Sequence, residues 1–244
     1  AVIMAAEAAF HAGAGKVTVI CHQNHHQAIL SRSPNIMLRD INALNEKSIK
    51  DILFQVDAVC FGMGLGRDDW AKQIYRQWFN LLNQSEHLEI VLDADALNIL
   101  AQNTDWFSQL PKQTILTPHP KEFDRLFGTH NSEDARRATA LKKATEWNCI
   151  IVLKGHQTFI TNGIDSYENS TGNSGLAKGG SGDALTGIIT AFLAKNYPPI
   201  QAAVLSVYLH GLAADITLSK QSEESMLITY VIENLGMAFK KITA

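Results

Sequence analysis

Cysteine is scarce in this 244-residue chain: only Cys21, Cys60 and Cys149 occur, far apart and each in a run of apolar or β-branched residues. An odd, unpatterned set of this kind excludes a disulfide framework and reads as reduced thiols. An excess of either charge is also missing. The 21 basic and 24 acidic residues give a formal charge of -3, with no basic block or acidic tail, which offers nothing to a nucleic acid or a membrane. No stretch approaches the roughly 18 apolar residues of a membrane span, and no basic leader opens the chain. The expected compartment is therefore the cytoplasm. A G-x-x-x-x-G-K-[ST] run is absent, which disfavours a P-loop nucleotidase.

What is present is a regular alternation. Residues 1–12 are an Ala-rich helix closed by Gly13 and Gly15, and they read as a helix already under way, so preceding residues are expected. The β-branched or apolar runs 16–21, 57–62, 88–93, 114–117 and 149–154 read as strands. A polar segment follows the first of these. Helices are expected at 48–56, 68–82, 94–101, 121–127 and 132–147, and a hairpin turns about Asn162-Gly163 between 158–161 and 166–169. The remainder, 182–195, 199–218 and 224–241, reads as helix. Alternation of this kind implies one α/β domain spanning 1–244, with a mostly parallel central sheet between helical layers. In such sheets ligands bind beyond the carboxyl ends of the strands.

The most informative run is Lys178-Gly179-Gly180-Ser181-Gly182-Asp183, followed by Ala184-Leu185-Thr186-Gly187. Glycines admit backbone N–H groups close to a ligand, and the next helix aims its positive end at the same place, which makes an anion site. Asp183 falls in the first turn of that helix. Because the helix is apolar nearly all round it must be central, and its N–H groups would open inside the protein at a cost unless an anion meets them. Gly62-Met63-Gly64-Leu65-Gly66 follows a strand, but its third glycine falls one residue too early for a dinucleotide fingerprint. The carboxylates of LDADALN (92–98) suit hydrated Mg²⁺ or structural hydrogen bonds equally. Thr117-Pro118-His119-Pro120-Lys121-Glu122 and Lys154-Gly155 with Thr158 are each readable as a turn, a cap or a site.

Taken together, these runs resemble the carbohydrate-kinase-like domain of NAD(P)H-hydrate dehydratases in the ribokinase-like superfamily. The likeness extends from the opening helix through GMGLG (62–66), LDADALN, TPHPKE (117–122), LKG (153–155) and GGSGDALTG (179–187) to YLHGLAAD (208–215). Met63 stands where the family usually has Pro, and a first strand and Gly-rich turn that the family places before the opening helix are missing. A companion epimerase domain often precedes this one in bacterial relatives. The resemblance implies a three-layer α/β/α ribokinase-like fold and repair of the hydrated cofactors NADHX and NADPHX. Their 6-hydroxyl would be phosphorylated by ADP, or by ATP, with Mg²⁺, and phosphate would then leave to regenerate NADH or NADPH.

The resemblance also implies roles. Asp183 would be the general base. Lys154, Gly155, His156, Gln157, Thr158, Gly179, Gly180, Ser181 and Gly182 would contact the nucleotide. Ala1, Gly66, His119 and Asp183 would contact the hydrated cofactor, and Glu122 would hold Mg²⁺ through water. A homotetramer is the family's usual assembly. Two alternatives stay open: a kinase of the same superfamily that makes a stable phosphorylated vitamin precursor or sugar, and a sensor that binds AMP or ADP without turnover. Cys21 with His22, His25 and His26 reads as a polar loop rather than a metal site. His210 reads as a hydrogen-bonded core histidine, the four tryptophans as packing, and Cys60 as unactivated.

Overall fold

The computed structural model describes residues 1–243. Strands β3 (Ala58–Phe61), β4 (Glu89–Leu92), β5 (Ile115–Leu116) and β6 (Ile150–Leu153) lie side by side in chain order, each pair parallel. An antiparallel hairpin, β7 (Phe159–Thr161) and β8 (Ser166–Glu168), completes this six-stranded sheet. Parallel neighbours need crossovers, and right-handed crossovers that always step the same way leave their helices on one face. That face carries α3 (Glu46–Phe54), α4 (Asp69–Leu82), α5 (Asp95–Leu100), α6 (Pro120–Phe127) and α7 (Glu133–Trp147). The opposite face is covered by α1 (Val2–His11) and by α8 (Ser181–Ala194), α9 (Pro199–Leu218), α10 (Ile228–Glu233) and α11 (Leu235–Thr243).

Strand alternation divides the core between the faces. Ile90, Leu92, Leu116, Ile151 and Leu153 point to the α3–α7 side, while Val91, Ile115, Ile150 and Val152 point to the α8–α9 side. Both faces are buried, so the strands read as continuous apolar runs, as a covered parallel sheet requires. The result is the expected three-layer architecture, with helices on both faces of a mostly parallel sheet.

Three features differ from the sequence expectation. The polar segment after β1 (Thr18–Cys21) holds a short helix, α2 (His26–Arg32), and a strand, β2 (Met37–Asp40), which pairs parallel with β1 in a separate two-stranded sheet. Only Ile29 of α2 is buried, so its helical pattern is too sparse to be seen in sequence. The helix expected at 224–241 is two helices, parted at Asn234, whose amide donates to Thr217 Oγ1 (3.0 Å) and anchors the break to α9. Finally, α9 is 20 residues long and apolar enough to cross a membrane by length and composition. Here it is a core helix, with Ala202, Ala203, Leu209, Ala213 and Ala214 fully buried.

Candidate functional site

Four strands end at one place. Beyond β3 lies the GMGLG loop, beyond β4 Asp93, beyond β5 the Thr117–Glu122 segment and beyond β6 Lys154; the N-terminus of α8 closes over them. Gly180 takes φ +95°, a left-handed conformation that glycine adopts without strain, and it turns the chain into α8. A Cβ at Gly182 would sit 3.1 Å from Lys154 Nζ and 3.9 Å from Asp93 Oδ2, so the glycine is what lets the helix start approach these two side chains. The loop before it is pinned: Lys178 Nζ donates to the carbonyls of Glu223, Glu224 and Met226 at 2.7–2.8 Å.

Asp93 and Lys154 form the centre. Lys154 Nζ donates to Asp93 Oδ1 at 2.8 Å, and Thr186 Oγ1, from α8, donates to Asp93 Oδ2 at 2.9 Å. Burial alone would push the Asp93 carboxyl up; Lys154 and the hydroxyls of Thr117 and Thr186 outweigh it and hold the group below the usual aspartate range. Asp93 is 2% exposed, and an ion pair so deep is stable only because both partners are present and hydrogen-bonded.

Glu122 is the second carboxylate near Lys154, at 4.0 Å from Nζ. Burial raises its pKa, with Lys154 opposing. The turn before α6 fixes it: Glu122 Oε2 accepts from the His119 N–H (2.9 Å), while His119 Nδ1 accepts from the N–H groups of Lys121 (3.1 Å) and Glu122 (3.2 Å). This reciprocal capping box leaves His119 Nε2 as the protonated nitrogen, 3.4 Å from Glu122 Oε1. Burial, with Lys154 and Arg125 nearby, lowers the His119 pKa, so its ring favours the neutral form.

Asp183 projects from the first turn of α8. Burial raises its pKa, and the charge of Asp93 adds to the rise, with Lys154 opposing. The backbone nitrogen of Ala1 lies 4.0 Å from Asp183 Oδ2, and the Ala1 methyl is 3.4 Å from where a Cβ at Gly64 would be. Ala1, Gly64 and Asp183 thus share one corner, opposite the Lys154 side. A cavity of about 830 Å³ opens beside this corner between the two sheets, lined by Ile20 and Cys21 of β1 and by Cys60 and Phe61 of β3.

The remaining residues expected at the site take varied positions. Thr158 is buried and turned back on the loop, its hydroxyl 3.3–3.4 Å from the Gly155 backbone, whereas His156 and Gln157 are exposed between β6 and β7. The Gly66 N–H is committed to Asp95 Oδ2 at 2.9 Å, so what Gly66 can offer a ligand is its carbonyl and close backbone approach. Among the described residues no group of three His, Cys, Asp or Glu side chains could hold a metal, and the Cys21–His26 segment forms a turn in which His22 Nδ1 accepts from the Asn24 N–H. Cys60 is pushed up to about 11 by burial, which keeps it a thiol. His210 is a core residue, but its Nε2 has no hydrogen-bond partner among the described residues, unlike the satisfied histidine expected. Sequence reasoning missed the engagement of Asp95 and Thr186. The doubled carboxylate of LDAD marks the place but not the partners.

The sequence of this chain is 37% identical to a bifunctional NAD(P)H-hydrate repair enzyme of Coxiella burnetii over 96% of this chain and 46% of that protein. It is 36% identical to an ADP-dependent (S)-NAD(P)H-hydrate dehydratase of Neisseria meningitidis, over 88% of this chain and 71% of that one. A solved ADP/ATP-dependent NAD(P)H-hydrate dehydratase of Bacillus subtilis, co-crystallised with ATP and Mg²⁺, superposes with a TM-score of 0.83 at 29% identity, covering 98% and 84% of the two chains. The chain spans about half the length of the bifunctional relatives it matches. The family model described as NAD(P)H-hydrate dehydratase matches residues 1–236, and on that near-complete match the chain belongs to this family.

Proposed function

We propose that this chain is an ADP-dependent (S)-NAD(P)H-hydrate dehydratase, which phosphorylates the 6-hydroxyl of NADHX or NADPHX and eliminates phosphate to regenerate the reduced cofactor. The observation that carries it is the position of Asp183: a carboxylate in the first turn of a central helix, between a glycine-lined, lysine-backed anion site and the Ala1–Gly64 corner. A protein that only sensed AMP or ADP would need the anion site and not the base.

In this reading the hydroxyl of the hydrate lies at the Ala1–Gly64 corner and gives its proton to Asp183 as its oxygen attacks the terminal phosphorus of ADP. The bond from that phosphorus to AMP breaks. The N–H groups of residues 179–182 receive the charge that builds on the transferring group, and Lys154, held by Asp93, adds a fixed positive charge beneath it. His119 Nε2–H is a neutral donor at the same mouth. Mg²⁺ would bind with the phosphates, and Glu122 is the carboxylate suited to meet it through water: one acidic side chain beside an anion site fits a metal that arrives on a nucleotide. Its chemistry there would be to screen the phosphate oxygens.

The names of the relatives, ADP-dependent in one case and ADP/ATP-dependent in the other, support a nucleotide donor and favour ADP. A homotetramer in the cytoplasm is proposed on the family resemblance.

The test is the near-ultraviolet absorbance of reduced nicotinamide while purified protein acts on NADHX with Mg²⁺ and either ADP or ATP. A rise with ADP is expected. Absence of a rise with both nucleotides would favour a kinase that makes a stable phosphoester. Because Asp183 acts ionised and its pKa is raised above 3.8, kcat/KM should fall in acid, with its limb displaced above that of an ordinary aspartate.

A further inference from the structure

The two carboxylates that end β4 point to opposite halves of the site. Between them Ala94 has φ 52° and ψ -117°, a strained conformation for an alanine, and this kink lets Asp93 and Asp95 diverge. Asp93 turns to Lys154 and Thr186 on the phosphate side. Asp95 turns to the GMGLG loop, accepting from the Gly66 N–H at 2.9 Å and standing 3.9 Å from Arg67 Nε. The first glycine of that loop rests on the same kink: a Cβ at Gly62 would collide with the Asp93 carbonyl and lie 2.7 Å from the Ala96 nitrogen. Gly62, Gly64 and Gly66 all have positive φ, so the loop's path is set by backbone rather than side-chain packing, and Asp95 is the side chain that ties down its far end.

We infer that Asp95 is a positioning residue for the hydrated-nicotinamide subsite, acting through the Gly64–Gly66 backbone, while Asp93 serves the nucleotide side through Lys154. This rests on the dehydratase reading for the identity of the ligand, but the division of labour is a property of the fold. Asp95 opens α5, so a purely structural role as a helix-start carboxylate is the alternative to be excluded.

The experiment compares Asp95→Ala with Asp95→Asn, whose amide oxygen can still accept from the Gly66 N–H. Asp95→Ala should raise KM for NADHX about 10- to 100-fold, the worth of one hydrogen bond to a charged group, with KM for ADP changed less than about twofold. Asp95→Asn should recover most of the loss. Equal changes in both KM values, or an Asn variant as impaired as Ala, would overturn the inference. Amide hydrogen exchange supplies a readout that needs no substrate: in Asp95→Ala the 62–67 segment should exchange faster while 178–183 and 153–158 keep wild-type protection. If wild-type protein does not turn over NADHX, the functional reading fails and the exchange pattern still decides the role of Asp95; unchanged exchange at 62–67 would refute it.

Discussion

The two faces of the sheet are packed from different materials. On the α3–α7 side aromatic rings do the filling: Tyr75 and Trp106 stack at 5.5 Å, Phe107 and Trp147 at 3.9 Å, with Phe79, Phe123 and Phe127 around them. On the α8–α9 side small residues let backbones meet, and a Cβ at Gly187 of α8 would run into the Ala5 carbonyl of α1. Large rings contribute a large buried apolar area. Close helix contact instead brings the first turn of α8, with its N–H groups and Asp183, to the ends of the central strands. The aromatic core under α4–α7 should therefore govern stability, whereas the packing of α8 against α1 should also govern the placing of Asp183.

The largest effect that would sharpen this contrast is at Asp183. Asp183→Asn should lower turnover about 10²–10⁴-fold, equivalent to roughly 3–5 kcal/mol of barrier, while the thermal midpoint stays near wild type. Kinetics and a melting curve on the same sample check it; an unchanged rate would remove Asp183 from the mechanism. The opposite signature belongs to Phe107→Ala, which should cost about 3–5 kcal/mol in urea unfolding and leave both KM values alone. A selective rise in KM for NADHX would break the proposed separation of the two faces.

Next comes a pH effect confined to the small-residue face. His210 is 6% exposed, and burial pushes its pKa down to about 4 from 6.5. The folded state thus holds a neutral imidazole that the unfolded chain would protonate. Its contribution is complete above pH 6.5 and is lost as pH falls towards 4, by about 3 kcal/mol in all. Urea unfolding across that window should show the loss in wild type and a shallower slope in His210→Leu. The smallest effect is expected from Gly187→Ala, where one methyl forces α1 and α8 apart: about 1–3 kcal/mol of stability, together with a fall in turnover that Phe107→Ala does not show.

Much of this is legible in the sequence, and for a physical reason. The strands that carry the candidate site are apolar runs that stop at a polar residue followed by Ala-Asp, Pro or Gly, in LDAD, TPHP and LKG, so both the strand and its polar end are local features. The same holds for α8, whose glycines and uniform apolarity mark a buried helix start. Pairing across the chain is not local. Asp93 meets Lys154 from 61 residues away and Thr186 from 93, and nothing near any of them names the partner. Nor does sequence reveal β2, a strand half-exposed along its length, or the Asn234 break, where a hydrogen bond to α9 decides where one helix ends.

The most direct test of the central claim is product stoichiometry: AMP, inorganic phosphate and NADH measured together as the protein consumes NADHX and ADP. Equal amounts of all three, formed about 10²–10⁴-fold more slowly in Asp183→Asn, are predicted. AMP formed without matching phosphate and NADH would mean that the phosphoester is the final product, and would contradict the dehydratase assignment.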